Sequence, residues 1–257
     1  MRLFPITLAF GLLASTAFAT DIKVGVSPGE HAQIMEQVAK VAETNGLNID
    51  IVEFSDYVVP NQALADGDIQ ANSFQHQPYL DNQMRDRGFD LVTIGTTITT
   101  PMGLYSDKID ALDAIPEGAT IGIPNDPTNG GRALLVLQQL GVLTVDPDAG
   151  LTPTVLDVAE NPKNLRFREL DAAQLPRSLP DVDAALINTN YATAAGMNPE
   201  EDAFASESAD GPYVNILVVR DGDQDEPWAK QLVEAYHSDE VKAFIDAQYH
   251  GTVLTSW

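Results

Sequence analysis

Apolar and polar positions along the chain alternate between short strands and amphipathic helices. Residues 22–26 and 47–54 are apolar strand segments, and residues 30–45 between them carry apolar side chains at helical spacing. A helix that joins two strands gives a parallel pair with the helix packed on the sheet. The chain therefore opens as a β-α-β unit, which indicates the α/β class.

The same alternation continues to the end of the sequence. Further strands are predicted at residues 68–74, 89–95, 120–123, 165–170, 183–188 and 213–220. Further helices are predicted at residues 61–65, 78–87, 132–140, 172–179, 191–196, 227–237 and 240–249. The pattern restarts near residue 120 and ends with a late strand, so we expect two lobes joined by two crossovers.

Each predicted lobe is a mixed β-sheet flanked by helices, with a ligand cleft between the lobes. Lobe 1 is predicted at residues 20–100, with residues 219–257 returning to it, and lobe 2 at residues 101–218. The crossovers are expected near residues 99–105 and 213–218.

Residues 1–19 have the pattern of a cleavable signal peptide. Met1 and Arg2 form a short basic start, residues 3–14 are apolar, and the segment ends in a small-x-small triplet at residues 17–19. The apolar run is too short to span a bilayer. An uncleaved anchor and a buried helix are the alternatives. We expect a soluble, periplasmic product that begins at Thr20.

Composition narrows the function classes. The chain has 38 Asp and Glu against 14 Lys and Arg, a formal net charge of −24, so nucleic acid and anionic membranes are poor partners. Cysteine is absent, which removes disulfides, thiolate metal sites and a lipid-modified N-terminal cysteine. On this basis we expect no lipid anchor, and we expect a monomer.

The stretch at residues 121–141 combines a strand, a turn and a helix. Thr128 is the predicted N-cap, which places Arg132 in the first helical turn. A cation there faces the positive end of the helix dipole. Two interpretations remain open, an exposed arginine that bends toward water and a guanidinium that holds an anion together with the free helix amides.

A second polar and aromatic cluster follows the third strand. Phe74, His76 and Tyr79 lie at a strand-to-helix junction and fit either an ordinary core or one wall of a pocket. Asn188 and Asn215 lie near strand ends, where an asparagine either forms a turn or offers a donor and an acceptor to an amino acid.

Two enzymatic interpretations have little support. Residues 25–29 match G-x-S-x-G, but Pro28 follows Ser27 and has no N–H for an oxyanion hole, so a serine hydrolase is the weaker alternative. His31, His237 and His250 are expected at the surface or at helix ends, and the histidines show no metal-ligand spacing. No metal or cofactor is expected, and the protein is not expected to be an enzyme.

Seven ordered motifs resemble those of the methionine-binding (NlpA/MetQ-type) substrate-binding proteins of ABC importers, over nearly the whole chain after residue 19. They are FSDYVVPN (54–61), FQHQPYL (74–80), PNDPTNGGR (124–132), ENPKN (160–164), QLPRSL (174–179), INT (187–189) and YVN (213–215). The resemblance implies a two-lobed periplasmic binding protein that closes on a free amino acid and delivers it to a permease and ATPase complex.

The resemblance also implies roles for individual residues. Arg132 would hold the ligand carboxylate, and Asn188 and Asn215 would hold the backbone ammonium and carboxylate. The side-chain pocket is formed in this interpretation by His76, Tyr79, Phe74 and Tyr57.

The sequence departs from the family pattern at two places. The family's cysteine at the cleavage site is missing, and Gly130 stands where a bulkier residue is common, which puts the pocket shape in question. We expect L-methionine or a closely similar amino acid as the ligand. The alternatives are another apolar amino acid, a short peptide, or a binding protein without a transporter.

Overall fold

A computed structural model of the chain describes residues 20–257. The predicted signal peptide at residues 1–19 lies outside this described part. Within it, no helix has both the length and the apolar character needed to cross a membrane.

Strands and helices alternate along the described chain, as the hydrophobic pattern predicts. The strands are β1 (Thr20–Val26), β2 (Leu47–Glu53), β3 (Ala71–His76), β4 (Leu91–Thr96), β5 (Ile98–Thr99), β6 (Gly103–Tyr105), β7 (Thr120–Pro124), β8 (Thr144–Val145), β9 (Val158–Glu160), β10 (Arg166–Leu170), β11 (Ala184–Ile187), β12 (Ala203–Ser206), β13 (Asn215–Arg220) and β14 (Leu254–Thr255). The α-helices are α1 (Glu30–Thr44), α2 (Val59–Asp66), α3 (Gln77–Arg87), α4 (Pro127–Gln139), α5 (Leu175–Ser178), α6 (Thr189–Ala194), α7 (Pro199–Asp202), α8 (Pro227–Tyr236) and α9 (Asp239–Tyr249).

The first sheet has the order β2-β1-β3-β13-β4. β1 pairs in parallel with β2 and β3, whereas β13 runs antiparallel to both β3 and β4. α1, α8 and α9 cover an apolar core on this sheet in which Val24, Ile34 and Leu217 are fully buried. Each such side chain contributes about 1.5–3 kcal/mol to folding.

The second sheet has the order β10-β7-β11-β6-β12. β10, β7 and β11 are parallel, and β6 and β12 add antiparallel pairs at one side. α4 packs on this sheet through Leu134 and Leu137, over Ile121 of β7. The two mixed sheets and their covering helices confirm the predicted α/β class.

Two chain segments connect the sheets, one between β5 and β6 and one between β12 and β13. β13 pairs with the first sheet from its first residue, Asn215, which lies opposite His76 of β3. Residues 215–220 therefore lie in one strand of the first sheet, because the apolar run 216–219 continues that strand without a break. The lobe boundaries at residues 100 and 218 remain a prediction.

Candidate functional site

A narrow cavity lies between the two sheets, and it is lined by polar and aromatic side chains. The space between its lining atoms, counted with the part open to solvent, is about 320 Å³. The lining residues are His31, Tyr57, Phe74, Gln75, His76, Tyr79, Thr100, Asn129, Arg132, Asn188, Asn190 and Asn215. All seven residues that the sequence predicts for the site are in this set, although their role in binding remains a prediction.

The helix that carries Arg132 begins earlier than the sequence predicts. Asp126 is its N-cap, because the Asp126 carboxylate accepts a hydrogen bond from the backbone N–H of Asn129 at 2.8 Å, and Pro127 is the first helical residue. The prediction that Thr128 is the cap is therefore wrong. Arg132 lies in the second turn, so the argument from the helix dipole does not apply to it.

Arg132 is held by a buried ion pair. Its side chain is 3% exposed and that of Glu207 is 7% exposed. Nε donates to both Glu207 oxygens at 3.1 and 3.0 Å, and Nη2 donates to Glu207 and to the carbonyl oxygen of Thr100 at 2.9 Å. The ring of Tyr213 lies 4.4 Å from the guanidinium carbon. The exposed arginine that the sequence left open is thus excluded.

These contacts leave one end of the guanidinium available. An arginine has five N–H donors, and those of Nε and Nη2 are engaged by Glu207 and Thr100. Nη1 makes no hydrogen bond to any residue in the range 20–257, and Arg132 lines the cavity. Nη1 is therefore the guanidinium nitrogen that remains free for a further acceptor.

A chain of amide and imidazole groups crosses the cavity from one sheet to the other. The side-chain oxygen of Asn129 accepts a hydrogen bond from Nδ2 of Asn188 at 2.9 Å and lies 3.3 Å from Nε2 of His76. Nδ2 of Asn129 donates to both oxygens of Asp126. Asn215 donates from its amide to the carbonyl oxygen of Ile98 at 3.2 Å. The network fixes the amide orientations at the cavity wall.

Aromatic rings from the first lobe form the opposite wall. The ring of Tyr57 lies 5.9 Å from Phe74, 6.0 Å from Tyr79 and 4.9 Å from Tyr191, measured between centroids. The Tyr79 hydroxyl donates to the carbonyl oxygen of Tyr57 at 2.9 Å. This surface combines apolar ring faces with a few fixed hydroxyls, which suits a flexible apolar side chain.

The titratable groups of that wall are uncharged at neutral pH. Burial, and to a smaller extent the charge of the nearby Arg132, lower the pKa of His76 to about 3. Burial also raises the pKa of Tyr57 well above its usual value. Nδ1 of His76 accepts the backbone N–H of Tyr79, so Nε2 carries the proton and can donate to Asn129.

Two buried groups at the start of α1 were not predicted from the sequence. Glu30 is fully buried, neither of its carboxylate oxygens has a hydrogen-bond partner within residues 20–257, and burial raises its pKa to about 8. His31 is 3% exposed and its pKa is lowered by burial to about 4. Of the two positions expected for His31, the helix end is correct and the surface is not, because the first turn of α1 packs against the second lobe.

The contact between the lobes is close at this point. Gly29 has φ +89°, and a Cβ on it would lie 2.5 Å from the backbone oxygen of Asn190. The Tyr57 hydroxyl donates to the side-chain oxygen of Asn190, and the Tyr191 hydroxyl donates to the backbone oxygen of Ser55 at 3.3 Å. These contacts join the two lobes beside the cavity.

Two features raised by the sequence lie apart from the cavity. Ser27 is completely buried and its hydroxyl has no hydrogen-bond partner in the described chain, so the G-x-S-x-G motif does not present a nucleophile. Gly130 faces the backbone of Pro124, where a Cβ would lie 2.7 Å from the carbonyl oxygen, and it does not line the cavity.

Several residues that line the cavity or hold Arg132 were not predicted from the sequence. Asn129, Asn190, Gln75 and Thr100 line the cavity, and Glu207 pairs with Arg132 from a loop 75 residues away. Asn129 lies inside the PNDPTNGGR motif, and Asn190 directly follows the INT motif. Glu207 had no local signal, since an acidic residue in an acidic chain is ordinary.

Two lobes around a closed polar cavity define a two-lobed substrate-binding protein of the periplasmic type. A model of the NlpA lipoprotein family matches residues 22–257. The chain belongs to this family, which confirms the resemblance drawn from its motifs.

Individual relatives cover almost the full chain. It is 48% identical over 239 residues to the D-methionine-binding lipoprotein MetQ of Escherichia coli K12, covering 92% of this chain and 88% of that protein. Its fold is similar to a nutrient binding protein from Burkholderia cenocepacia bound to methionine, with a TM-score of 0.89, 53% identity, and coverage of 92% and 100% of the two chains. An ABC transporter periplasmic substrate-binding protein from Coxiella burnetii matches with a TM-score of 0.88, 45% identity, and coverage of 91% and 100%.

These findings correct one prediction. The absence of cysteine led us to expect no lipid anchor, yet the family and the E. coli relative are named lipoproteins. The prediction is therefore wrong for the family to which the chain belongs. The cysteine count addresses a single attachment chemistry and was too narrow a basis for that conclusion.

Proposed function

We propose that this protein captures methionine, or a closely similar amino acid, in the periplasm and delivers it to an ABC permease and ATPase complex. The observation that carries the proposal is the cavity between the two sheets, with the free Nη1 of Arg132 on one side and the Tyr57, Phe74 and Tyr79 rings on the other. The methionine-bound Burkholderia relative supports the same ligand.

In the proposed binding mode, each wall of the cavity takes one part of the ligand. The carboxylate meets Nη1 of Arg132 in a charge-assisted hydrogen bond, which low local dielectric strengthens. Asn188 and Asn215 serve the ammonium and carboxylate groups. The unbranched side chain lies against Phe74 and Tyr79, where a polarisable thioether packs well.

The proposed cycle is binding and release without covalent chemistry. The protein reaches the periplasm through the signal peptide at residues 1–19. The lobes, at about residues 20–100 with 219–257 and at 101–218, separate about the two crossovers and close on the ligand. Closure brings Gly29 onto Asn190 and re-forms the Tyr57 hydrogen bond, so a ligand that touches both walls stabilises the closed state.

Calorimetric titration tests the proposal. L-methionine, D-methionine, norleucine, alanine and glutamate are titrated into protein that has been unfolded, dialysed and refolded to remove bound ligand. We expect methionine to bind at least about tenfold more tightly than alanine, because the aromatic wall buries its side chain. Equal affinity for alanine and methionine, or no binding of either, would contradict the proposed function.

A further inference from the structure

Glu207 is the ion-pair partner that orients the Arg132 guanidinium relative to the cavity. Its carboxylate accepts hydrogen bonds from Nε and Nη2 of Arg132 and from the backbone N–H of Met102 at 3.0 Å. Thr100 takes the remaining Nη2 donor, and the Tyr213 ring covers one face of the guanidinium. These contacts over-determine the guanidinium plane, so its orientation does not depend on the ligand.

The ion pair also sets the charge of the cavity. A buried guanidinium alone would attract any anion, whereas the Arg132–Glu207 pair has no net charge. Asp126 is a further, half-buried carboxyl group in contact with the cavity residue Asn129. An incoming ligand with a carboxylate and no ammonium therefore adds uncompensated negative charge beside two acidic groups. A zwitterion adds none.

We propose that Glu207 is a positioning and charge-compensating residue, which presents Nη1 of Arg132 to the ligand and makes the cavity select net-neutral amino acids over monoanions of the same shape. The inference rests on the proposed function, because it takes the ligand carboxylate to meet Arg132. It adds the ligand class, an α-amino acid zwitterion in preference to an α-hydroxy or α-keto acid.

The test compares two ligands in two variants. Methionine and its α-hydroxy analogue, a monoanion with the same side chain, are titrated calorimetrically into the wild type and Glu207→Gln. The glutamine keeps one acceptor oxygen and removes the negative charge. We expect weaker methionine binding and at least about a tenfold fall in the affinity ratio of methionine to the hydroxy acid.

The ratio separates charge selection from a structural effect. A variant that only loosened the site would weaken both ligands by the same factor and leave the ratio unchanged, and that result overturns the inference. Glu201→Gln is the matched control, since it removes an exposed acid of the same lobe and should leave both affinities at wild-type values.

A second variant covers the case in which Glu207→Gln does not fold. Glu207→Asp keeps the charge but shortens the side chain, so we expect weaker binding of both ligands with the wild-type ratio preserved. A changed ratio in this variant contradicts the inference. If the wild type binds no methionine, the proposed function fails and this inference fails with it. If the wild type binds methionine and the ratio does not respond to Glu207→Gln, only the inference fails.

Discussion

The two walls of the cavity treat charge in opposite ways. The wall from the second sheet contains Arg132, ionised and paired with Glu207. The wall from the first sheet contains His76 and Tyr57, which are neutral at pH 7. Glu30, at the start of α1, is fully buried, and its pKa is raised to about 8. The difference suits the proposed binding mode, in which the first wall would accept the apolar side chain and the second wall the charged end of the ligand.

Replacing Arg132 is expected to have the largest effect on this division. Arg132→Met should weaken methionine binding about a thousandfold, which corresponds to ~4 kcal/mol, because a buried charge-assisted contact is lost. Since the second wall reads the common part of amino acids, the affinity for alanine or norleucine should fall by a similar factor. Calorimetry with the three ligands measures this, and Arg177→Met, an exposed arginine on α5, is the control.

Stability must be followed in the same variant. Arg132→Met leaves Glu207 buried without its partner, at a cost of about 3–5 kcal/mol. The double variant Arg132→Met/Glu207→Gln should recover most of that stability but none of the binding. Recovery of binding in the double variant would show that Arg132 does not contact the ligand.

The pH dependence of the free energy of unfolding tests whether Glu30 is neutral in the folded protein. Its pKa in the folded state is about 8 against 4.5 in the unfolded state, so the folded state holds an extra proton between these values and loses stability as the pH rises. His31 and His76 have their pKa values lowered to about 4 and about 3, and their opposite slope fades above pH 6.5 as the unfolded-state imidazoles lose their protons. Over the range from pH 6.5 to 8 the loss of stability from Glu30 is therefore larger than the gain from the two histidines.

Urea unfolding from pH 6.5 to 8 should show the wild type losing on the order of 1 kcal/mol. Glu30→Gln should remove this loss. Glu36→Gln changes an exposed acid on the same helix and should retain the wild-type slope. If the slope is identical in all three proteins, Glu30 is charged in the folded state and the contrast between the walls is smaller than described.

A Phe74 variant tests whether the aromatic wall contacts the side chain of the ligand. Phe74→Leu removes part of a ring surface that is 4% exposed, so methionine binding should fall about tenfold. Alanine does not reach this surface and should bind with an affinity within about twofold of wild type. An equal loss for both ligands would mean that Phe74 supports the fold of the whole cavity and does not recognise the side chain.

His76 is expected to produce the smallest effect. Because its pKa is lowered to about 3, it remains neutral from pH 5 to 8 and the affinity should change by less than about twofold. The titration is made in the Glu30→Gln variant, because Glu30 itself would change its protonation between pH 5 and 8. A loss of affinity with a midpoint near pH 6.5 would indicate that His76 titrates in the cavity.

The sequence predicted the α/β alternation because apolar spacing reports directly on strands and helices. The predicted start of α4 at Thr128 is too late, because Pro127 fits the first helical position and Asp126 caps the helix. The position of Arg132 in the cavity followed from family motifs and not from the dipole argument. Asp126 and Thr128 both fit the cap by residue type, and only backbone geometry distinguishes them.

Long-range pairing explains what the sequence missed in the site. Glu207 lies 75 positions from Arg132 in the sequence. The contact between the lobes joins Gly29 to Asn190, which are even further apart along the chain. Neither contact leaves a signal in the local sequence, because both depend on how distant parts of the chain pack together in the fold. The burial of Glu30 is hidden for the same reason, since the first turn of an ordinary amphipathic helix is usually exposed to solvent.

The central claim is that one free nitrogen of Arg132 meets the ligand carboxylate while Glu207 keeps its hold on the rest of the guanidinium. A crystal structure of the protein with methionine tests this most directly. We predict a carboxylate oxygen about 3 Å from Nη1, with the hydrogen bonds from Nε to Glu207 still in place. A carboxylate bound elsewhere, or an Arg132 that has left Glu207 to meet the ligand with both terminal nitrogens, would contradict the account.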